Sequence, residues 1–409
     1  MAHRQFVIAG LYLLFFSPTL FAEDWPQFQG PLLSGVSKEK IVPWTETPKT
    51  LWSYLTGAGW SSPVVAGGRV YLFHRVRDVE TLTCLDAKAG KEIWSESYPT
   101  SYRDSFGFDE GPRSTPVIDL DDKCIVTLGA EGKLTGWELS SGKILWSKEL
   151  QKLYPAKKIF FGIGTSPILA NRKILVNVGS KGASVVAFQP RTGEELWKSG
   201  QDEVSYSSPV LARVRNKDSA IFFTRDGLLV LDPRDGKVIA SHPWRPRNPN
   251  SVSAASPIVK GDQIFLTASY GLGAVLLDLT KADSPSEIWK SDEVLSAHYN
   301  TPILFDDHLI GIDGRQEYGA KLACIDWASG KLLWAKSGFG CANLIRVDNL
   351  LLALTEKGEL VLIEANSKEY LEKGRVKILQ TTCRAAAALS SGLYYARDEK
   401  QLVCIELMK

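Results

Sequence analysis

The chain has 409 residues, longer than one hydrophobic core usually reaches but ordinary for a repeat architecture. Apolar residues make up 44%, enough for a large interior. Lys and Arg (48) nearly balance Asp and Glu (46), and no basic cluster stands out, so neither a strong surface field nor nucleic-acid binding is expected.

Residues 1–22 read as a signal peptide. Arg4 supplies the positive start, and Phe6–Phe16 is an apolar run too short to span a bilayer, which takes about 20 residues. Ser17-Pro18 breaks the run, and Leu20-Phe21-Ala22 precedes the acidic Glu23-Asp24, which puts cleavage after Ala22. The short run disfavours the competing reading, an uncleaved anchor. The first cysteine is Cys84, so a lipid-anchored lipoprotein is not expected. No later run approaches spanning length, so the mature chain 23–409 is expected in the periplasm or outside the cell.

The mature chain repeats itself. Leu85-Asp86-Ala87-Lys88-Ala89-Gly90-Lys91-Glu92-Ile93-Trp94 is the first clear copy of an ending that returns at Glu138–Trp146, Gln189–Trp197 and Ile325–Trp334. Asp232–Lys237 is a copy with Ala240 at the Trp position, and Leu277-Asp278 reaches Trp289 through a longer turn. Ile363-Glu364-Ala365 with Tyr370 and Ile405-Glu406-Leu407 are weaker copies. Each unit opens on a small polar residue and Pro: Ser62-Pro63, Thr115-Pro116, Ser166-Pro167, Ser208-Pro209, Ser256-Pro257 and Thr301-Pro302. Leu344 and Ala386 hold the Pro offset in the last two units. The markers recur every 42 to 53 residues or so, the length of a propeller blade.

One unit reads as four strands: 62–66, a Gly67-Gly68 hairpin, 70–73, 81–85, and 92–95 after the Asp86–Gly90 turn. Eight such units in a ring predict an all-β, eight-bladed propeller of four-stranded antiparallel blades. The last unit, 378–409, stops after its third strand. Residues 50–55, with Trp52 at the Trp position, are expected to supply the fourth and close the ring.

These endings and the mature start Asp24-Trp25-Pro26-Gln27-Phe28 resemble the PQQ-like β-propeller repeat family over the whole mature chain. That family includes quinoprotein alcohol dehydrogenases and the propeller subunit of the bacterial outer-membrane assembly machine. Gly111-Pro112-Arg113-Ser114-Thr115-Pro116 and Ser269-Tyr270-Gly271 resemble secreted members. The motif is specific for fold and weak for function.

Chemistry is expected at one mouth of the channel, where the loops before each blade and between second and third strands meet. Two connections there are long, 95–114 and 147–165, and carry Tyr98, Tyr102, Phe106, Phe108, Tyr154, Phe160 and Phe161. Three places before each Pro position stand Trp60, Arg113, Gly164, Tyr206, Ala254, Tyr299, Cys341 and Cys383, with His298, Asn300 and Arg384 beside them. Trp60, Arg113, Tyr206, His298, Tyr299, Asn300 and Arg384 make a funnel suited to a flat, partly anionic ligand; packing between blades is the competing account. Asp104, Asp109 and Glu110, and Asp119, Asp121, Asp122, Asp306 and Asp307 on the opposite face, read as solvated loop charges.

Cys84, Cys324 and Cys404 fall on third strands and Cys124 on a second strand, as small buried hydrophobes. Cys341 and Cys383 hold equivalent sites in neighbouring blades. Either they form a disulfide or they are free thiols a little too far apart. The histidines lack metal-ligand spacing, and no nucleophile has identifiable partners. The chain therefore reads as an exported, non-catalytic scaffold or binding propeller for an envelope protein or small ligand, with no cofactor. The alternative is a PQQ-dependent or related oxidoreductase. The resemblance implies for such enzymes PQQ, calcium and an adjacent Cys-Cys pair, and the last is missing here.

Overall fold

The computed structural model describes residues 23–44, 46–157, 160–248, 251–281 and 284–407. The expected signal peptide lies outside the described residues.

Among the described residues the chain forms eight sheets, each built on four antiparallel strands as a blade, with one short α-helix, Leu150–Leu153, and one 3-10 turn, Gln316–Tyr318. Seven blades use four consecutive strands, and one of these adds a fifth, parallel strand. Blade 1 shows the local logic. Val64–Ala66, Arg69–Val76, Val79–Asp86 and Glu92–Pro99 pair in sequence order. The two middle strands are buried almost throughout, and the fourth is mostly exposed. A blade interior therefore faces apolar neighbours on both sides, which only a ring of blades supplies.

The ring closes as expected. Thr50–Leu55 pairs antiparallel with Gln401–Glu406, with Trp52 opposite Cys404. Both sequence markers act between blades. The Trp of one blade lies over the turn glycine of the next: Trp52 over Gly90, Trp94 over Gly142, Trp146 over Gly193, Trp197 over Gly236 and Trp289 over Gly330. Several indoles also donate across the seam, Trp52 Nε1 to the Ala87 carbonyl (3.0 Å), Trp146 to Pro190 (2.9 Å), Trp289 to Trp327 (2.8 Å) and Trp334 to Asn366 (2.9 Å).

The residue before Pro forms a second belt near the axis. The Ser62 N–H donates to Thr115 Oγ1 (3.2 Å), Thr115 N–H to Ser166 Oγ (3.0 Å) and Ser166 N–H to Ser208 Oγ (3.0 Å). Ser256 N–H reaches Thr301 Oγ1 in the same way (2.9 Å). This is why Ser or Thr recurs there. A hydroxyl can accept the backbone N–H of the blade before it, which the following proline helps aim.

The segment after the expected cleavage site does more than complete a blade. Trp25 is buried and bridges Val65, and the Pro26 carbonyl accepts from Ile118 N–H. Leu33 joins the core made by blades three to five. Val36–Ser37 pairs in parallel with Arg346–Val347, and Glu39 accepts from the amides of Ser391 and Gly392. All these partners are inner strands or their first hairpins. Residues 25–39 therefore run across the channel end opposite the candidate mouth.

The six cysteines are free and buried. Cys341 and Cys383 do not form the bridge considered from their spacing. Cys341 packs into the core between blades six and seven and Cys383 into the core of blades seven, eight and one, so separate apolar seams hold the two thiols. Burial pushes both up to about 12. Unfolded, unreduced protein is expected to take up six alkyl groups, while the native protein reacts slowly. Mass measurement showing four groups and linked 341 and 383 peptides would contradict this.

Candidate functional site

The channel mouth opens into a cavity of roughly 220 Å³. Six of the seven residues singled out from the sequence line it: Trp60, Arg113, Tyr206, His298, Tyr299 and Arg384. Asn300 does not. It is buried one layer behind, where its amide donates to Asn343 Oδ1 (3.1 Å), and Asn343 in turn donates to the Arg384 carbonyl (2.9 Å). Asn300 thus belongs to the belt between blades and positions the wall. Gly164 and Ala254 also line the cavity, whereas Cys341 and Cys383 turn into the seams. In the last two blades, which lack the Pro, Asn343, Arg384 and Ala386 face the cavity.

Phe28 lines the same cavity. It sits on the segment that crosses the far end of the channel, so it closes the floor and makes the funnel blind. The sequence reading took Phe28 as part of a family-like start and gave it no place in the site.

The walls are aromatic and cationic. The guanidinium carbons of Arg113 and Arg384 lie 4.8 and 4.5 Å from the Trp60 ring centre. Arg113 also lies against Phe161 and Arg384 against Phe108. The two long loops supply these phenylalanines. Phe106 contacts Phe108, Phe160 and Phe161, and Phe106, Phe108 and Phe160 are exposed at the rim. Tyr206 holds the second loop in place: its ring meets Phe161, and its hydroxyl accepts from Phe161 N–H (2.9 Å).

Three tyrosines of these loops do not face a ligand. Tyr98 and Tyr102 are buried, and Tyr98 donates to the buried Glu80 carboxylate (2.7 Å). Tyr154 is also buried and donates to Glu195. Nor are the loop carboxylates simply solvated. Asp104 has a fully covered side chain 3.7 Å from Arg113 and accepts from Phe108 N–H (2.7 Å). Asp109 accepts from the amides of Gly59 and Gly111, and Glu110 pairs with Arg75 and Arg103. On the opposite face, Asp119 is buried and accepts from the amides of Asp121 and Asp122, as turn-forming aspartates do.

The far wall combines loops between second and third strands with the connection that leads into blade six. His298 Nε2 is 3.1 Å from the Tyr270 hydroxyl and its Nδ1 is 2.9 Å from Gln316 Oε1. Burial lowers its pKa, which keeps the ring neutral. Tyr299 donates to Glu356 Oε1 (2.6 Å), which also accepts from Arg384 Nε (3.2 Å). Glu317 pairs with Arg315 at 3.7 Å. Sequence reasoning missed Tyr270, Gln316, Glu317 and Glu356. Their signal was the face rule itself, which puts these loops at the mouth.

Not every polar atom of the wall has a partner. Trp60 Nε1, Arg113 Nε and Arg113 Nη1 are buried without a hydrogen bond, and the Arg113 side chain is only 9% exposed. Among the described residues that line the cavity these are the sole unpartnered buried side-chain atoms; all are donors, and all are covered by the wall's own side chains.

PQQ with calcium would need several oxygens converging on the ion. No group of three or more acidic, His or Cys side chains able to hold a metal occurs among the described residues. Glu317 and Glu356 at the mouth are already engaged by arginines. The described residues offer no carboxylate cage for that calcium.

Fold, closure and blind aromatic mouth together define a PQQ-like eight-bladed propeller. Residues 78–336 match the family described as outer membrane protein assembly factor BamB, and the chain belongs to that family. The crystal structure of BamB from Moraxella catarrhalis is similar at a TM-score of 0.64 and 12% identity, covering 88% of this chain and 98% of that one. The computationally designed Ika8 protein gives 0.57 and 13%, covering 87% and 98%. Quinohemoprotein alcohol dehydrogenase from Comamonas testosteroni gives 0.53 and 13%, covering 94% and 81%. At these identities the likeness is one of fold. No curated protein matches the sequence.

Proposed function

We propose that this chain is an exported, non-catalytic binding propeller that holds a flat small molecule rich in hydrogen-bond acceptors in its blind mouth. The observation that carries this reading is the one-sided set of unpartnered donors in the cavity wall, Trp60 Nε1 with Arg113 Nε and Nη1, which a ligand reaches by displacing the side chains that cover them. An orphaned buried donor costs about 1–3 kcal/mol, and a ligand oxygen or ring nitrogen recovers it. Aromatic walls and a closed floor suit a planar body. Export rests on the leader read from residues 1–22 and on the family's description as an outer membrane assembly factor. No helix among the described residues is long and apolar enough to cross a membrane.

Two substitutions test the reading. Trp60→Phe keeps the ring and removes the free N–H, and Arg113→Lys keeps the charge beside Asp104 and removes Nε. Both are expected to melt within a few degrees of wild type. A saturation-transfer NMR screen of flat heteroaromatic carbonyl compounds should give hits with wild type that weaken or vanish in both variants. A screen without hits, or hits indifferent to both changes, contradicts the reading. Tyr299→Ala behaves differently. Its ring packs against the core of blades six and seven and its hydroxyl holds Glu356, so it should lower the melting temperature clearly.

A further inference from the structure

The cavity looks cationic from its lining, since Arg113 and Arg384 face it and Glu317 is the one carboxylate there. The shell behind removes that impression. Arg113 has Asp104 at 3.7 Å, Arg384 has Glu356 at 3.2 Å, and Glu317 has Arg315 at 3.7 Å. Three arginines meet three carboxylates. Nearby, the Asp109 carboxylate is held by backbone amides, and its charge acts on the buried Arg397. His298 adds no charge, because burial favours its neutral form.

Hydrogen bonds are balanced differently from charge. Asp104 sits too far from Arg113 to take up its N–H groups and spends its oxygens on Phe108 N–H and the Tyr102 hydroxyl. Arg113 Nη2 donates to the Asp109 carbonyl (3.0 Å), but Arg113 Nε and Nη1 and Trp60 Nε1 stay without an acceptor although the charge is met. Adding a carboxylate ligand would bring a fourth negative group close to Asp104 and Glu356, in a site where low polarity strengthens repulsion. A carbonyl oxygen answers the donors without that penalty.

We propose that the mouth selects uncharged planar carbonyl compounds and discriminates against carboxylates of the same shape. The feature responsible is the carboxylate behind each arginine, Asp104 and Glu356, rather than the arginines themselves. This rests on the reading of the cavity as a binding site. It replaces the sequence-based expectation of a partly anionic ligand, which counted the arginines and not their partners.

Equilibrium dialysis at neutral pH with three probes tests it: coumarin, coumarin-3-carboxylate and naphthalene. Coumarin should bind at least about tenfold tighter than its carboxylate and tighter than naphthalene, which offers no acceptor. Asp104→Asn keeps an acceptor for Phe108 N–H and removes the charge. Carboxylate affinity should then rise about tenfold while coumarin affinity stays put. Glu356→Gln should act in the same direction, and serves should the first variant loosen its loop. A carboxylate that binds wild type as tightly as coumarin overturns the charge selectivity and leaves the binding site standing. Naphthalene equal to coumarin overturns the role of the donors. If none of the three binds, the binding-site reading itself falls, and the selectivity with it.

Discussion

Removing residues 24–56 should abolish soluble folding. The segment holds two structural duties at opposite ends of the ring. Thr50–Leu55 is the outer strand of the last blade, and without it Gln401–Glu406 becomes an open edge, a template for pairing with other chains. Trp52 also leaves the Gly90 turn and the Ala87 carbonyl of blade one. At the other end, Trp25 leaves the core, where it is 2% exposed, and the residues spanning the first hairpins go with it. Each lost Trp costs about 3–5 kcal/mol, and together they approach the whole stability of an ordinary domain, about 5–15 kcal/mol. The truncated chain should appear in the insoluble fraction or melt without cooperativity. A soluble truncation that melts like the full chain would contradict the closure.

Trp146→Ala and Gly193→Ala should each destabilise strongly, and together by less than their sum. Trp146 joins blades two and three. Its Nε1 donates to the Pro190 carbonyl, and its ring covers Gly193, where an added Cβ would stand 2.5 Å from ring carbon Cδ2. Gly193 also has φ of +70°, a conformation that costs a side-chain-bearing residue about 1–2 kcal/mol before any clash. The Trp change should cost about 3–5 kcal/mol and the Gly change about 2–3 kcal/mol. In the double variant the methyl meets no indole, so part of the second cost disappears. Urea titrations of the four proteins decide it. A Trp146→Ala cost below about 1 kcal/mol, or strict additivity, would show that the seam does not rest on this contact.

The blades were legible because their markers are local and repeated. Gly and Trp at fixed offsets state a turn and a seam, and the Ser/Thr-Pro pair states a strand start near the axis. The ring's closure followed from counting strands, since a blade with three and a spare Trp52 strand fit only each other. The mouth was partly legible, because position within a blade fixes which face a residue joins. The rest depended on which atoms meet across loops. Nothing in the spacing of Asp104 and Arg113 says that one carboxylate is buried beside the guanidinium. Phe28 stands outside the repeat, so no blade position assigns it to a face. For Cys341 and Cys383 the sequence left a bridge and two free thiols both open, because equivalent repeat positions do not say into which seam each side chain packs.

The most direct test of the account is the indole N–H resonance of Trp60, one of twelve Trp signals, assigned by its loss in Trp60→Phe. In the free protein this N–H has no acceptor. On titration with coumarin it should move downfield as it gains a carbonyl partner, while the Trp52, Trp146, Trp289 and Trp334 signals, already bonded across the seams, hold still. A Trp60 signal that does not move while dialysis reports saturated coumarin would contradict the site.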